Sequence, residues 1–247
     1  MTQRQQIGFS QRIRLEWLEH TAGLVLAGCT RAQVEAALQD LLRDRLSVGG
    51  TAERGNREKA ITILLRTWVS VPDTLRPLRD EGLDHLQRLP VREHLPVHWG
   101  MTMGAYPFFA AVAQVVGRLL RLQGAAAAIQ IQRRVREQLG ERATVARAAR
   151  RILRCFVDWG VLCETEHKGI YQSAPVRSLP DKRLVGWLIE AALISSGVRR
   201  AALRAIVESP SLFPFSVGLI RGGEFECNRR LELVRQGIDE PMITVRA

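Results

Sequence analysis

One segment of the chain, residues 144–160, carries four arginines at helical spacing: Arg147, Arg150, Arg151 and Arg154. At a helical step of about 100° per residue, the four fall within an arc of about 100°. The opposite side of the same helix is apolar and holds Val145, Ala149, Ile152 and Phe156. Guanidinium groups donate paired hydrogen bonds to phosphate oxygens and to the O6 and N7 atoms of guanine. The pattern predicts a helix that rests on a core and presents arginines to an anionic ligand.

The charge around this helix has one sign. Between Arg118 and Arg154 there are ten arginines against Glu137 and Glu141, which is ten minus two, or +8 of the net charge of +11. A charged outer face is also typical of any solvated amphipathic helix. Neighbouring like charges nevertheless cost stability unless an anion neutralises them. We therefore expect nucleic acid as the partner, ahead of an acidic membrane surface.

Three predicted helices and a hairpin position these arginines. The helices cover residues 107–122, 126–139 and 144–159, and each ends at a glycine: Gly124, Gly140 and Gly160. In the first helix the apolar positions available for burial run through to Leu122. Thr144 is a suitable N-cap for the third helix. Residues 162–173 then predict two short strands joined at His167, Lys168 and Gly169.

Residues 105–175 resemble the winged helix-turn-helix DNA-binding superfamily, most clearly in QIQRRVREQLGERATVARAARRILRCFVDWGVL and the hairpin that follows. The resemblance implies that the third helix enters the major groove of double-stranded DNA. Two acidic residues of the hairpin, Glu164 and Glu166, count against a strong contact by the wing. The implied DNA-binding residues are Arg133, Arg134 and Arg142 at phosphates, Arg147, Arg150, Arg151 and Arg154 at the groove, and His167 and Lys168 at the backbone or minor groove. Thr144, at the start of the third helix, is a further candidate for DNA contact.

The first 104 residues predict a helical N-terminal domain with a connector. Helices are expected over residues 12–27, from a Thr30–Gln33 capping box through Leu42, and over residues 56–69. Gly49 and Gly50 end the second of these units. Four prolines break residues 71–104 into short helices and turns: Pro72, Pro77, Pro90 and Pro96. We interpret residues 71–104 as a connector that packs against its neighbours.

The last region, residues 177–247, predicts helices followed by a small antiparallel sheet. One helix begins after Pro180 and ends near Gly197, and another covers residues 198–208. Residues 211–247 are rich in β-forming residues separated by glycines. With residues 1–104 and a central unit at 105–176, the chain is predicted to have a mainly α (α+β) fold.

No cofactor, small-molecule substrate or metal is expected. His94 and His98 are four residues apart, but Pro96 lies between them and no third ligand can be named from the sequence. Gly222 and Gly223 precede Glu224 and Glu226, which favours a bulged hairpin over an acidic nuclease strand. The chain has no phosphate-binding loop, dinucleotide fingerprint or nucleophile elbow. Three tryptophans are expected to fill the core rather than stack on bases: Trp99, Trp159 and Trp187.

A reducing cytoplasm is the expected location. The cysteines carry no C-x-x-C spacing and lie at Cys29, Cys155, Cys163 and Cys227.

No formal charge occurs between Glu93 and Arg118. The densest apolar part of that stretch, residues 106–116, is much shorter than the roughly 20 residues of a membrane-spanning helix. We therefore expect a buried helix there and no membrane partner.

These features predict a non-enzymatic protein that binds double-stranded DNA. An N-terminal helical region containing LLRDRLSVGGTAERGNR ahead of a winged helix is similar to the BrxA-like proteins of BREX phage-defence operons, which implies a DNA-contacting accessory subunit with protein partners from the same operon. Two alternatives are a transcriptional regulator and a protein-interaction module that docks its basic face on an acidic partner. An enzyme is a third alternative, although no acid, base and nucleophile form a set.

Overall fold

The computed structural model of the protein describes residues 8–46, 55–218, 228–234 and 240–246. Over these ranges the chain is mainly helical with short strands, which confirms the predicted mainly α (α+β) fold. Three predictions, at Gly49–Gly50, at residues 222–226 and at Cys227, lie outside the described residues.

The N-terminal region consists of α1 (Leu15–Leu26), α2 (Arg31–Leu41) and α3 (Asn56–Trp68). The capping box before α2 is present, because Gln33 N donates to Thr30 Oγ1 and Thr30 N donates to Gln33 Oε1. The bounds of α1, α2 and α3 lie within a few residues of the expected ones, so the three predicted helices are confirmed.

Residues 71–104 are more than a connector. They contain α4 (Arg76–Arg88) and α5 (Leu95–Ala105), and every residue of α5 is buried. Pro96 lies in the first turn of α5, where a backbone N–H has no helical partner to lose. Because α5 has no formally charged residue, its burial carries no cost of desolvating a charge, and it agrees with the buried helix expected in this uncharged stretch.

The central unit is built from α6 (Pro107–Gln123), β1 (Ala126–Ala127), α7 (Ala128–Leu139), α8 (Ala143–Asp158), β2 (Leu162–Glu164) and β3 (Ile170–Ser173). The three strands form an antiparallel sheet in the order β1-β3-β2, so Tyr171 pairs with Ala126 on one side and with Glu164 on the other. The predicted order of three helices followed by a hairpin is confirmed.

Three details of the central unit differ from the prediction. Ala126 and Ala127 pair with the hairpin instead of starting α7. Leu122 is 74% exposed because it lies on the outer face of the last turn of α6. The N-cap of α8 is Arg142, so Thr144 is already inside the helix and its side chain caps nothing.

No single helix in the described parts of the chain is long and apolar enough to cross a membrane. Leu95–Ala105 and Pro107–Gln123 reach the required apolar length only together, and the pair is bent by 118°.

The C-terminal region contains β4 (Arg177–Ser178), α9 (Lys182–Ser195), β5 (Arg200–Ala202), α10 (Leu203–Val207), β6 (Phe215–Ser216), β7 (Leu231–Val234) and β8 (Met242–Val245). The predicted antiparallel sheet exists as β5-β8-β7. Two predictions were wrong in part. Residues 200–202 pair with β8, which leaves only a short helix in 198–208, and Phe215–Ser216 pairs in parallel with β4.

One continuous cluster of buried side chains connects all three regions. At its centre the Trp99 ring lies 4.9 Å from Phe156 of α8 and 5.6 Å from Phe213, measured between ring centroids. Its indole N–H donates to the carbonyl oxygen of Ser211 at 3.1 Å. Trp99, Trp159 and Trp187 are buried, as predicted. Packing therefore crosses both predicted domain boundaries, at 104/105 and at 176/177.

Candidate nucleic-acid interface

The two faces of α8 are separated as the sequence predicts. Val145, Ala149, Ile152 and Phe156 are fully buried, and their side chains belong to the common core. All four arginines of the opposite face are exposed: Arg147, Arg150, Arg151 and Arg154. A short turn sets the direction of this helix. It contains Gly140 at a φ of 103°, a conformation that favours glycine.

The arginine face of α8 forms one wall of an open groove of about 750 Å³. The opposite wall comes from residues 8–11 and from the first turn of α3. We call this feature the arginine groove, and it is lined by Gly8, Ser10, Gln11, Asn56, Lys59, Thr144, Arg147, Ala148, Arg150, Arg151 and Arg154.

Hydrogen bonds hold the N-terminal segment beside α8. Ile13 N donates to Cys155 Sγ at 3.1 Å, and Trp159 Nε1 donates to the Ile13 carbonyl oxygen at 2.9 Å. The Arg12 guanidinium makes a two-point ion pair with the Asp158 carboxylate. This wall is thus part of the folded structure, and its contacts span more than 140 residues of sequence.

The groove is strongly electropositive. No hydrogen bond or ion pair joins the guanidinium groups of Arg147, Arg150 and Arg151 to any residue that the structure describes. Lys59 adds a cation from the opposite wall, and none of the described residues that line the groove is acidic. Sequence reasoning missed Lys59, because only the packing of residues 8–14 against α8 brings the start of α3 to this place.

Other predicted contact residues have acidic neighbours. Arg154 donates to Glu164 of β2 at 2.7 Å, so the hairpin partly neutralises the end of the arginine face. Arg133 and Arg134 contact Glu137 at 2.8 and 3.5 Å. The hydrogen bond from Arg133 is the main cause of a lowered pKa at the Glu137 carboxyl. These contacts mean that fewer arginines are free for a ligand than the sequence indicates.

The structure does not bring every predicted residue into the groove. Thr144 lines its edge, whereas Arg133, Arg134 and Arg142 lie outside it. Arg142 instead contacts the Leu139 carbonyl oxygen at 3.5 Å. His167 and Lys168 are exposed at the tip of the hairpin and do not line the groove either.

A separate polar cluster joins α1 to α5. His94 Nδ1 lies 2.9 Å from both carboxylate oxygens of Glu19, and His98 Nε2 lies 2.7 Å from Glu19 Oε2. Burial raises the pKa of Glu19, but hydrogen bonds with His98 and His94 outweigh it and hold that pKa at about 2. Burial lowers the pKa of His98.

These three side chains form a group that could hold a metal ion. The histidines share one face because Pro96 sits in the first helical turn and does not interrupt α5. Their third neighbour, Glu19, stands 75 positions before His94, so no local spacing could reveal it.

Comparison of the chain with protein-family models, with curated proteins and with solved structures found no significant match.

Proposed function

We propose that this chain binds double-stranded DNA through the arginine groove. The observation that carries the proposal is the set of three arginines on one face of α8, Arg147, Arg150 and Arg151, that have no partner among the described residues and share the groove with Lys59. The element order α6-β1-α7-α8-β2-β3 supports it, because a winged helix-turn-helix has this order and uses the position of α8 for recognition.

The walls of the groove favour phosphate contacts over base contacts. A recognition helix must protrude to reach base edges in the major groove. Here residues 8–11 rise beside the arginines, so a phosphate backbone lying along α8 meets guanidinium groups on one side and Lys59 on the other. Phosphate contacts position a protein on a duplex without reading its sequence. We therefore expect affinity for duplex DNA with little sequence preference.

The narrower proposal is a DNA-contacting accessory subunit of a bacterial system such as phage defence, acting in the cytoplasm with protein partners. The resemblance of the N-terminal region and central unit to BrxA-like proteins supports it. Neighbouring genes for a methyltransferase, an ATPase and a phosphatase-like protein would agree with this role. An isolated gene beside a divergent promoter would instead indicate a transcriptional regulator.

We also propose that the bound DNA is not chemically changed by this chain. The described residues that line the arginine groove include no carboxylate, imidazole or thiol to act as acid, base or nucleophile. Burial raises the pKa of the nearby Cys155 thiol to about 12, so it stays protonated and unreactive. Incubating pure protein with supercoiled plasmid and Mg²⁺ or Mn²⁺ tests this, and groove-dependent nicking would contradict it.

Fluorescence anisotropy on a labelled duplex tests DNA binding directly. The triple variant Arg147→Ala, Arg150→Ala, Arg151→Ala should bind at least about tenfold more weakly, because three phosphate contacts are lost.

The matched control removes the same charge elsewhere. Arg76, Arg92 and Arg204 lie outside the groove and pair with Asp73, Glu93 and Glu208. Their triple alanine variant should bind nearly as well as the wild type. Equal losses in both variants would mean that only net charge matters. If neither variant binds more weakly than the wild type, the basic face of α8 serves another partner, such as an acidic protein.

A further inference from the structure

The cluster of Glu19, His94 and His98 has more polar atoms facing each other than ordinary hydrogen bonding explains. None of the three residues lines the arginine groove. Both histidine side chains are buried, and Glu19 reaches them from the surface with about a third of its side chain, 34%, exposed. The potential ligand atoms all lie within 4.8 Å of one another.

The hydrogen-bonding atoms of His94 do not match the groups around them. Its Nε2 lies 2.8 Å from the carbonyl oxygen of Leu89, which only accepts hydrogen bonds, so Nε2 carries a proton. In a neutral ring Nδ1 then has a lone pair. That lone pair faces the two oxygens of the Glu19 carboxylate, which are also acceptors. A proton shared between the ring and the carboxyl group, or a metal ion, must lie between them.

The ring of His98 also faces the Glu19 carboxylate. Its ring is completely buried, and Nδ1 has no hydrogen-bond partner in the described structure. Among the described residues, the only polar contact of this ring is therefore Nε2 with Glu19. Burying a polar side chain with half of its bonding capacity unused costs free energy. Nδ1 bears that cost whichever group Nε2 meets, so His98 contributes to the cluster through Nε2 alone.

We propose that Glu19, His94 and His98 bind a zinc ion. Two imidazole nitrogens and one carboxylate make up a ligand set that zinc takes with three protein ligands and an open fourth position. The hydrogen bond from His94 Nε2 to Leu89 is the outer-shell contact that orients a metal-bound histidine. The exposed side of Glu19 gives water access to the fourth position.

The distances suit this ion after a small movement. Zinc bonds of about 2.0–2.1 Å place tetrahedral ligand atoms about 3.3 Å apart. The observed nitrogen–oxygen distances are 2.7 and 2.9 Å, so the Glu19 carboxylate moves outward by about half an ångström. Glu19 is the ligand free to move, because it is partly exposed while both histidines are packed in the core. The ion would fasten α1 to the central helix α5.

Isothermal titration of untagged, chelator-treated protein with ZnCl₂ tests the proposal. We expect one zinc per chain, bound in the micromolar range or tighter, and a rise in Tm when zinc is added. Co²⁺ should bind the same site and give the visible absorption of a low-symmetry nitrogen–oxygen environment. Mg²⁺ should leave Tm unchanged, because it prefers oxygen ligands in octahedral geometry.

A conservative pair of variants separates the site from the fold. Glu19→Gln keeps the size of the side chain and one acceptor oxygen, but it removes the negative charge and replaces the other oxygen with an NH2 donor. It should weaken zinc binding at least tenfold. Glu16→Gln is the control, since Glu16 lies in the same helix and pairs with Arg45 instead. It should bind zinc like the wild type. Absence of zinc binding by the folded wild type, or equal affinity in the wild type and Glu19→Gln, would overturn the proposal and leave a shared proton between the side chains as the explanation.

Discussion

Single acidic side chains decide which arginines of the basic surface remain available to a ligand. Glu164 forms an ion pair with Arg154, and Glu137 forms ion pairs with Arg133 and Arg134. Arg147, Arg150 and Arg151 keep their guanidinium groups unpaired within the described chain. The face of α8 could be predicted from helical spacing alone. The pairing could not, because Glu164 reaches Arg154 through the fold of the hairpin and not through a helical repeat.

Removing the acidic partner of Arg154 should strengthen DNA binding. In the variant Glu164→Gln, a carboxylate 2.7 Å from Arg154 no longer competes with phosphate. Exposed ion pairs contribute up to about 1 kcal/mol, so duplex affinity should rise by about two- to fivefold. Anisotropy at fixed low salt measures the change.

Glu166→Gln is the control for this prediction, because it removes the same charge from the hairpin and Glu166 makes no ion pair within the described residues. If both variants bind alike, the pair between Arg154 and Glu164 does not limit access to the arginine.

At the scale of elements, close backbone packing fixes α6 and therefore the helices that follow it. Gly117 of α6 faces the short turn of helix at Pro210–Leu212. A Cβ added at Gly117 would lie 2.0 Å from the Pro210 carbonyl oxygen. Only a glycine permits this approach, and it brings the C-terminal region against the base of the central unit.

The variant Gly117→Ala should lose at least about 2 kcal/mol of unfolding free energy, since the obstacle is backbone and cannot turn away. Urea denaturation measures the loss. Gly23→Ala in α1 is the matched control, because its added Cβ meets no described atom within 4 Å apart from its chain neighbours and the nearby backbone of its own helix. It should be neutral or more stable by up to about 1 kcal/mol. A Gly117→Ala variant as stable as the wild type would show that the two elements separate easily.

Elements with strong periodicity were predictable, and those defined by distant contacts were not. The order of α6, α7, α8 and the hairpin follows from apolar spacing and terminal glycines. The sequence of α5 indicates burial, yet Pro90 before it and Pro96 in its first turn favoured a connector, because proline in a first helical turn looks the same as proline in a loop. The strand at Ala126–Ala127 has no signal of its own and exists only because β3 pairs with it.

At the scale of the whole molecule, the candidate site depends on contacts between distant parts of the chain. Residues 8–14 are held against α8 by Arg12–Asp158 and by the Trp159–Ile13 hydrogen bond. Only this arrangement turns an exposed helix face into a groove whose second wall also carries a cation, Lys59. The α8 half of the groove could be predicted from its own sequence, but the half formed by residues 8–11 and the start of α3 could not, because only long-range packing brings it beside α8.

The salt dependence of duplex binding tests the central claim most directly. On a duplex of mixed sequence, log affinity plotted against log salt concentration should fall linearly for the wild type. Each lost phosphate contact reduces the slope by about 0.9, so the variant Arg147→Ala, Arg150→Ala, Arg151→Ala should have a slope smaller by about 2.7. The Arg76, Arg92 and Arg204 control should keep the slope of the wild type. A slope unchanged in the groove variant would contradict DNA binding by the arginine face of α8.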